Sequence, residues 1–327
     1  MRAIIISQHG GPEVLQIEER PDPVPTGDQV LIEVKAFGLN HAECYFRSGA
    51  WGNAAEITGI ECAGIVREDP GGKFRAGDTV AAAVGGLGRT LNGSYAELVA
   101  VPRSNVAAVT ADLNWAGLAA LPESYGTAWT ALMGIQFIKA GQVVMVRGAT
   151  SALGQAAVNI ARYAGAYVIG TTRSAERDGL LRSLGANEVL IDAGTLAEQV
   201  RETHPDGIDA VLDIVGNTTV VDSLSVLKRG GSVCEAGFLG GGGPLTLEPV
   251  FQIPSGRHLT SFASALVMGT PEFPFSEIPF QEIAGRAAAG DYKAHPSRVL
   301  AFEDIQEGHR LMEEGTAGGK IVVVLDD

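Results

Sequence analysis

Residues 143–174 read VVMVRGATSALGQAAVNIARYAGAYVIGTTRS, and this stretch decides the fold. The pattern predicts a strand over Val143–Arg147, a glycine turn, a helix and a second strand over Tyr167–Thr171, which together make a βαβ unit. The first strand is a short apolar run, typical of a parallel strand covered on both faces. Small apolar residues then recur at helical spacing, so we expect this helix to pack closely on a sheet.

The turn between the first strand and the helix is a candidate phosphate site. Gly148 and Gly154 occupy the two ends of a G-x-x-G-x-x-G pattern, while Ser151 replaces the middle glycine. Such a turn is also compatible with a simple reversal of the chain, so its interpretation depends on the βαβ context. The N–H groups that open a helix bind anions, and the residues expected to hold a pyrophosphate are Gly148, Ala149, Thr150, Ser151, Ala152 and Leu153.

The end of the second strand indicates which dinucleotide is bound. Units that prefer NAD place an acidic residue there for the ribose 2′-hydroxyl. This chain has Thr172, Arg173, Ser174 and Arg177 instead. Neutral and cationic groups suit a 2′-phosphate, which favours NADP(H), although either arginine is also compatible with an ordinary solvated side chain.

Composition narrows the classes of protein. The chain has 327 residues, of which 46% are hydrophobic, enough for two domains with separate cores. Its formal net charge of −14, without a basic cluster, makes nucleic acid and anionic membranes poor partners. No stretch is apolar for long enough to be a signal peptide or a membrane span, so we expect a cytoplasmic protein. Cys44, Cys62 and Cys234 lack CxxC spacing, which favours reduced, buried thiols.

The rhythm of the sequence changes once along the chain. Short apolar runs separated by proline and glycine predict an antiparallel barrel in the first hundred residues, with strands at 3–6, 30–36, 63–66, 79–83 and 95–99. Strands and helices then alternate, which predicts a six-stranded doubly wound sheet with strands at 143–147, 167–171, 188–191, 210–215, 232–236 and 259–265. Ligands of such sheets bind at the carboxyl ends of the strands, so Val215, Gly216, Phe238 and Leu239 are further expected cofactor contacts.

The last sixty residues predict helices at 276–289 and 305–314 and a final strand at 321–325. Because a single apolar strand needs a partner, we expect it to return to the barrel. The predicted domains are therefore 1–122 with 269–327, and 123–268. The strand at 259–265 lies at the edge of the doubly wound sheet, and an open edge of this kind invites pairing.

Several short segments, taken in order, resemble the medium-chain dehydrogenase/reductase superfamily and, within it, the zinc-free quinone oxidoreductases. They include GLNHAE (38–43), GIECAG (59–64), FRAGDTV (74–80), GSYAE (93–97), LGA (184–186) and GGKIV (318–322). The resemblance covers nearly the whole chain. It implies a GroES-like β-barrel catalytic domain plus a doubly wound, parallel-sheet Rossmann coenzyme domain. In similar proteins two such sheets join at the edge strand predicted here at 259–265, and this resemblance implies a homodimer.

The same segments bear on zinc. Relatives that use zinc have a cysteine where this chain has Asn40, and a histidine where it has Ile60. Neither residue can replace those ligands, so we predict no metal. A chance grouping of His41, Cys44 and Cys62 around a metal is the alternative.

The resemblance implies hydride transfer from NADPH to a quinone or another α,β-unsaturated carbonyl compound. Asn40 is then the first choice for a group that polarises the carbonyl oxygen, although it is also suited to cap a following helix. Tyr45, Trp51 and Tyr125 are candidate walls of the substrate slot, or simply core residues. Thr127 is expected near the nicotinamide, and Lys320 is expected either at a phosphate or at the mouth of the last turn.

Two other functions remain open from the sequence. One is a reductase of enones or 2-enoyl thioesters, which also accept hydride at a carbon conjugated to a carbonyl. The other is a protein that binds NADPH without turnover and acts as a structural or redox-sensing component.

Overall fold

A computed structural model describes residues 1–52 and 54–325 of the chain. The chain divides into two compact units, one formed by Met1–Gly126 with Ser264–Asp327 and the other by Thr127–Ala263. The sequence placed these changes after residues 122 and 268. No helix within the described ranges is both long and apolar enough to cross a membrane.

The first unit is mainly β-structure around one long central strand. It begins with β1 (Arg2–Ile6), β2 (Leu15–Glu19), β3 (Gln29–Gly38), α1 (His41–Ser48), β4 (Glu61–Glu68), β5 (Thr79–Ala83), β6 (Leu98–Pro102), β7 (Val106–Ala108), α2 (Trp115–Ala119) and α3 (Pro122–Trp129), whose last residues enter the second unit. Strand β3 pairs antiparallel with both β4 and β6. Alternate residues of β3, such as Val30, Ile32 and Val34, are buried in the main core of this unit.

The second unit is a doubly wound sheet. Its elements are a π-helical turn (Thr130–Ile135), β8 (Val143–Arg147), α4 (Ala152–Tyr163), β9 (Tyr167–Thr172), α5 (Asp178–Leu184), β10 (Glu188–Ile191), α6 (Ala197–Thr203), β11 (Ile208–Asp213), α7 (Val220–Ser225), β12 (Leu227–Glu235), α8 (Pro249–Gln252) and β13 (His258–Ser261). The six strands are all parallel, in the order β10-β9-β8-β11-β12-β13. The predicted Rossmann sheet is confirmed.

A buried arginine ties several elements of this sheet together. Arg147, the last residue of β8, is fully buried. Its Nε and Nη2 donate to the two carboxylate oxygens of Asp192 at 2.7 and 3.0 Å. Its Nη1 donates to Asp222 at 2.8 Å, to the carbonyl oxygen of Thr219 and to Ser223. The guanidinium therefore links β8 to the end of β10 and to α7.

The chain then returns to the first unit. The closing elements are α9 (Ser264–Val267), α10 (Phe280–Ala289), β14 (Arg298–Ala301), α11 (Ile305–Glu313) and β15 (Ile321–Val324). Strand β15 pairs antiparallel with β3 and parallel with β14. The predicted return of the last strand to the first β-structure is confirmed.

Most predicted elements differ from the structure by a few residues at one or both ends, as in the strand predicted at 232–236, which spans Leu227–Glu235. Three of the differences have a local reason. The strand expected at 95–99 lies at Leu98–Pro102, because Tyr95 still bonds to β1 through its carbonyl oxygen. The helix expected from Ser276 begins only at Phe280, since Ile278 precedes a proline and is held extended. The strand expected to reach Ala265 ends at Ser261, opposite the last residue of its partner β12.

Candidate active site

The turn after β8, the predicted phosphate site, depends on a glycine at each end. Gly148 has φ +84°, a region that favours glycine. A Cβ on Gly154 would lie 2.6 Å from the Cα of Ala149, so only glycine lets the first turn of α4 approach the loop this closely. At the start of α4, Ala152 and Leu153 present backbone N–H groups that the helix itself leaves without acceptors.

Ser151, which departs from the glycine pattern, has a structural role in this turn. It is the N-cap of α4, and its hydroxyl oxygen accepts from the N–H of Gly154 at 3.0 Å. The same hydroxyl donates to the carbonyl oxygen of Gly148 at 2.9 Å. These two bonds hold the turn in one conformation, whereas a third glycine would make it more flexible.

The neighbouring strand ends bring other predicted cofactor residues to the same edge. The backbone N–H groups of Val215 and Gly216, just beyond β11, donate to Asp213 at 3.0 and 3.1 Å. Leu239 lies close to Gly148, because its Cδ1 is 3.7 Å from the position that a Cβ of Gly148 would occupy. Phe238 and Leu239 are 36% and 41% exposed, which leaves apolar surface at this edge for a ligand.

We call the residues at the end of β9 and just after it the cationic platform; they are Thr172, Arg173, Ser174 and Arg177. Thr172 is buried and exchanges hydrogen bonds with the backbone of Ser174. Ser174 caps a short 3₁₀ turn over Ala175–Arg177. Arg173 and Arg177 are exposed, Arg173 lies within electrostatic range of Asp192, and no ion pair involves Arg177 within the described ranges. The platform therefore presents cationic side chains where an acidic ribose anchor would otherwise lie.

In the first unit, Asn40 joins a buried polar cluster. It precedes α1, and its N–H donates to Oε2 of Glu43 at 2.8 Å in a capping arrangement. Its side-chain Nδ2 donates to Oε1 of Glu61 at 2.9 Å. Its Oδ1 accepts from Nζ of Lys320 at 2.6 Å, and Lys320 also pairs with Glu61. Asn40 therefore precedes α1 in a capping arrangement and is held by side-chain bonds, while its predicted role toward a carbonyl oxygen stays a prediction.

The cluster contains a buried carboxyl group, Glu43, with a shifted pKa. Glu43 and Glu61 are fully buried and Lys320 nearly so. Burial raises the pKa of Glu43 to about 8, against the lowering effect of Lys320. Glu43 is therefore mainly protonated at pH 7, and the salt bridge of this cluster joins Lys320 to Glu61. Because folding raises this pKa, the stabilising contribution of Glu43 is full below about pH 4.5 and is lost as the pH rises through about 8.

Lys320, for which a phosphate contact or a place at the mouth of the last turn was predicted, has partners within the first unit. Its ammonium is engaged by Glu61 and Asn40, and a phosphate contact would require these bonds to be shared or broken. Glu43 and Glu61, which hold the Asn40 side chain, were not among the predicted site residues. The only local signal for them was their place in the GLNHAE and GIECAG segments.

The predicted aromatic walls separate into two groups. The rings of Tyr45 and Trp51 lie 4.9 Å apart between centroids. Tyr125 is buried and stacks instead on Tyr292, with centroids 5.3 Å apart. Thr127, at the start of the second unit, is also buried. The structure therefore brings Tyr45 and Trp51 together near the helix that Asn40 begins, and holds Tyr125 in a different cluster.

The residues weighed as chance metal ligands have other surroundings. Cys44 lies 3.6 Å from Nδ1 of His309, while Cys62 is buried in β4. Across residues 1–52 and 54–325, no group of three or more His, Cys, Asp or Glu residues is arranged to hold a metal ion.

A GroES-like unit and a Rossmann unit in one chain define a dinucleotide-dependent oxidoreductase. The family model "Alcohol dehydrogenase GroES-like domain" matches residues 26–111, and the model "Zinc-binding dehydrogenase" matches 152–274. The quinone oxidoreductase of Mus musculus is 30% identical over 99% of this chain and 98% of its own length.

Two solved structures are similar over the full chain. One is Escherichia coli quinone oxidoreductase complexed with NADPH, with a TM-score of 0.87 and 25% identity, covering 99% of this chain and 100% of that one. The other is the CurK enoyl reductase, with a TM-score of 0.86 and 25% identity, covering 99% of each chain. The chain belongs to the medium-chain dehydrogenase/reductase superfamily and, within it, to the zinc-free quinone oxidoreductase family.

Proposed function

We propose that this protein reduces quinones with NADPH and needs no metal ion. One observation carries the proposal. The Gly148 turn follows β8 and the cationic platform lies at the end of β9, so both lie at the carboxyl ends of neighbouring strands of the parallel sheet. The likeness to quinone oxidoreductases, one of them complexed with NADPH, supports it. When bound, NADPH supplies the hydride, and the protein orients the reactants and stabilises charge.

The residues of the second unit fit the shape and charge of NADPH. The N–H groups at the start of α4 suit the pyrophosphate, and the close approach at Gly154 keeps the loop open to it. Arg177 and Arg173 suit the 2′-phosphate. Val215, Gly216, Phe238 and Leu239 border the same edge.

Replacing Gly154 with alanine should weaken NADPH binding by about tenfold or more, since the new Cβ displaces the phosphate turn. Isothermal titration calorimetry measures this directly. Gly179→Ala is the matched control, because Gly179 also lies in a helix of this unit but has open space around its Cβ position. Equal affinities in the two variants would contradict a phosphate role for the turn.

Arg177→Ala should cost NADPH affinity and leave NADH affinity nearly unchanged. A charge-assisted phosphate contact is worth about 1.5–3 kcal/mol, which corresponds to roughly ten- to a hundredfold in Kd. Arg173→Ala is measured in parallel. Arg173 also follows β9, but it lies within electrostatic range of Asp192. An equal loss for both cofactors would show that the arginine acts structurally.

In the first unit, Asn40 is the proposed hydrogen-bond donor to the substrate carbonyl, through the Nδ2 hydrogen that otherwise makes the long 3.4 Å bond to Oε1 of Glu43. Hydride addition to a conjugated carbonyl places negative charge on the oxygen, and fixed donors stabilise that charge. The bonds to Glu61 and Lys320 hold the Asn40 amide in one orientation. Tyr45 and Trp51 provide flat apolar surface on the helix that follows.

A panel of quinones, enones and 2-enoyl thioesters tests the substrate class, with NADPH oxidation followed by absorbance. Fastest turnover of quinones supports the proposal. Fastest turnover of enoyl thioesters would favour the second function, which the likeness to the CurK enoyl reductase supports. Tight NADPH binding without oxidation by any compound would favour a non-catalytic role.

We further propose a homodimer formed through β13. This strand pairs only with β12 among the described strands, so its other edge is open. Val250 and Phe251, in the segment leading to it, are 85% and 84% exposed. Light scattering at micromolar concentration should give twice the 34.0 kDa chain mass, and a monomer mass would overturn the proposal.

We also propose a cytoplasmic location. The three cysteines are free and buried, which suits a reducing compartment.

A further inference from the structure

Glu235 is a buried carboxyl group without a partner. It is the last residue of β12, at the carboxyl edge of the parallel sheet. Both side-chain oxygens are inaccessible to solvent, and neither has a hydrogen-bond partner within the part of the chain that the structure describes. Buried polar groups nearly always have partners. An orphaned carboxyl at a ligand-binding edge therefore indicates a hydrogen-bond donor that comes from outside the chain.

The neighbouring carboxylate provides a contrast. Asp213, which pairs in register with Glu235 across β11 and β12, is fully occupied. Its oxygens accept from two backbone N–H groups and from the hydroxyls of Thr219 and Ser223. Oε1 of Glu235 lies 3.1 Å from where a Cβ of Gly216 would be, so the free carboxyl lies against the loop that follows β11.

We propose that Glu235 accepts a hydrogen bond from the nicotinamide nucleotide half of the cofactor, through a ribose hydroxyl or the carboxamide N–H. The inference rests on the proposed function. A doubly wound sheet binds the two halves of a dinucleotide on either side of its switch point. Because the cationic platform after β9 takes the 2′-phosphate of the adenosine half, the strands β11 to β13 take the nicotinamide half.

Protonation gives this contact a signature. Burial, and then the charge of Asp213, raise the pKa of Glu235 to about 7. Strand β13 contributes Ser261 at the same register, which adds no charge. A donor on the cofactor favours the ionised carboxylate, so NADPH affinity rises as the pH increases through about 7 and levels off above it.

The test measures dissociation constants of NADPH and of adenosine 2′,5′-bisphosphate, which represents only the adenosine half. Wild type is compared with Glu235→Gln and Glu235→Met, each checked for folding by its melting temperature. Glu235→Met should weaken NADPH binding about tenfold or more and leave the bisphosphate unchanged. Glu235→Gln keeps the shape of the side chain but does not ionise. The rise in NADPH affinity that Glu235 causes in wild type between about pH 6 and 8 should therefore be absent from this variant.

Other outcomes overturn the inference in distinguishable ways. Equal NADPH affinity in all three proteins would show that Glu235 makes no cofactor contact, while leaving the proposed function intact. If Glu235→Met weakens the binding of NADPH and of the bisphosphate equally, the substitution disturbs the sheet edge in general. Failure of wild type to bind either ligand would overturn the proposed function, and the inference with it.

Discussion

Asn40→Ala should lower kcat/KM for a quinone by about ten- to a thousandfold, the range for loss of one donor to a developing oxyanion. NADPH affinity should stay close to that of wild type. The side chain of Asn40 donates to Glu61 and accepts from Lys320, so the variant also loses about 1–3 kcal/mol of stability. Steady-state kinetics on protein shown to be folded separates the two effects.

Asn114→Ala is the matched control for this experiment. Asn114 is the N-cap of α2, and its Oδ1 accepts from the N–H of Gly117 at 2.8 Å. Its removal should cost about 1 kcal/mol of stability and leave kcat/KM unchanged. If Asn40→Ala behaves in the same way, Asn40 is a helix cap and has no part in catalysis.

Replacing Arg147 with methionine should reduce the free energy of unfolding by about 3–5 kcal/mol. The reason is that two partly buried carboxylates, Asp192 and Asp222, lose the cation that compensates them. Urea denaturation followed by circular dichroism measures the change.

The control is Arg182→Ala, which removes an exposed ion pair with Asp178 in α5. Such a pair contributes less than about 1 kcal/mol, so this variant should unfold near the wild-type midpoint. A loss below about 1 kcal/mol in Arg147→Met would mean that the network is neutral to stability.

The sequence predicted the parallel sheet well because its signals are local. Val143–Arg147 and Glu188–Ile191 have the predicted bounds, since each is a short apolar run between turn residues. Gly148 and Ser151 likewise act within a few residues of their own positions. Local pattern and spacing are enough for such features.

Pairings between residues that are distant in sequence could not be predicted. Arg147 lies 45 and 75 residues from its two carboxylates, and Lys320 lies 259 residues from Glu61. Nothing in a local window distinguishes such an arginine from the polar end of a strand. Glu235 was hidden for the same reason, because its burial depends on β11 and the loop after it.

The place of β15 has a consequence for synthesis of the chain. The second unit is continuous from Thr127 to Ala263, so all its strands are available once that segment has left the ribosome. The first unit cannot complete its sheet until Ile321–Val324 arrives to pair with β3, nearly three hundred residues after β3 itself. Its edge on β3 stays open through most of translation, so this is the part of the nascent chain that we expect chaperones to hold.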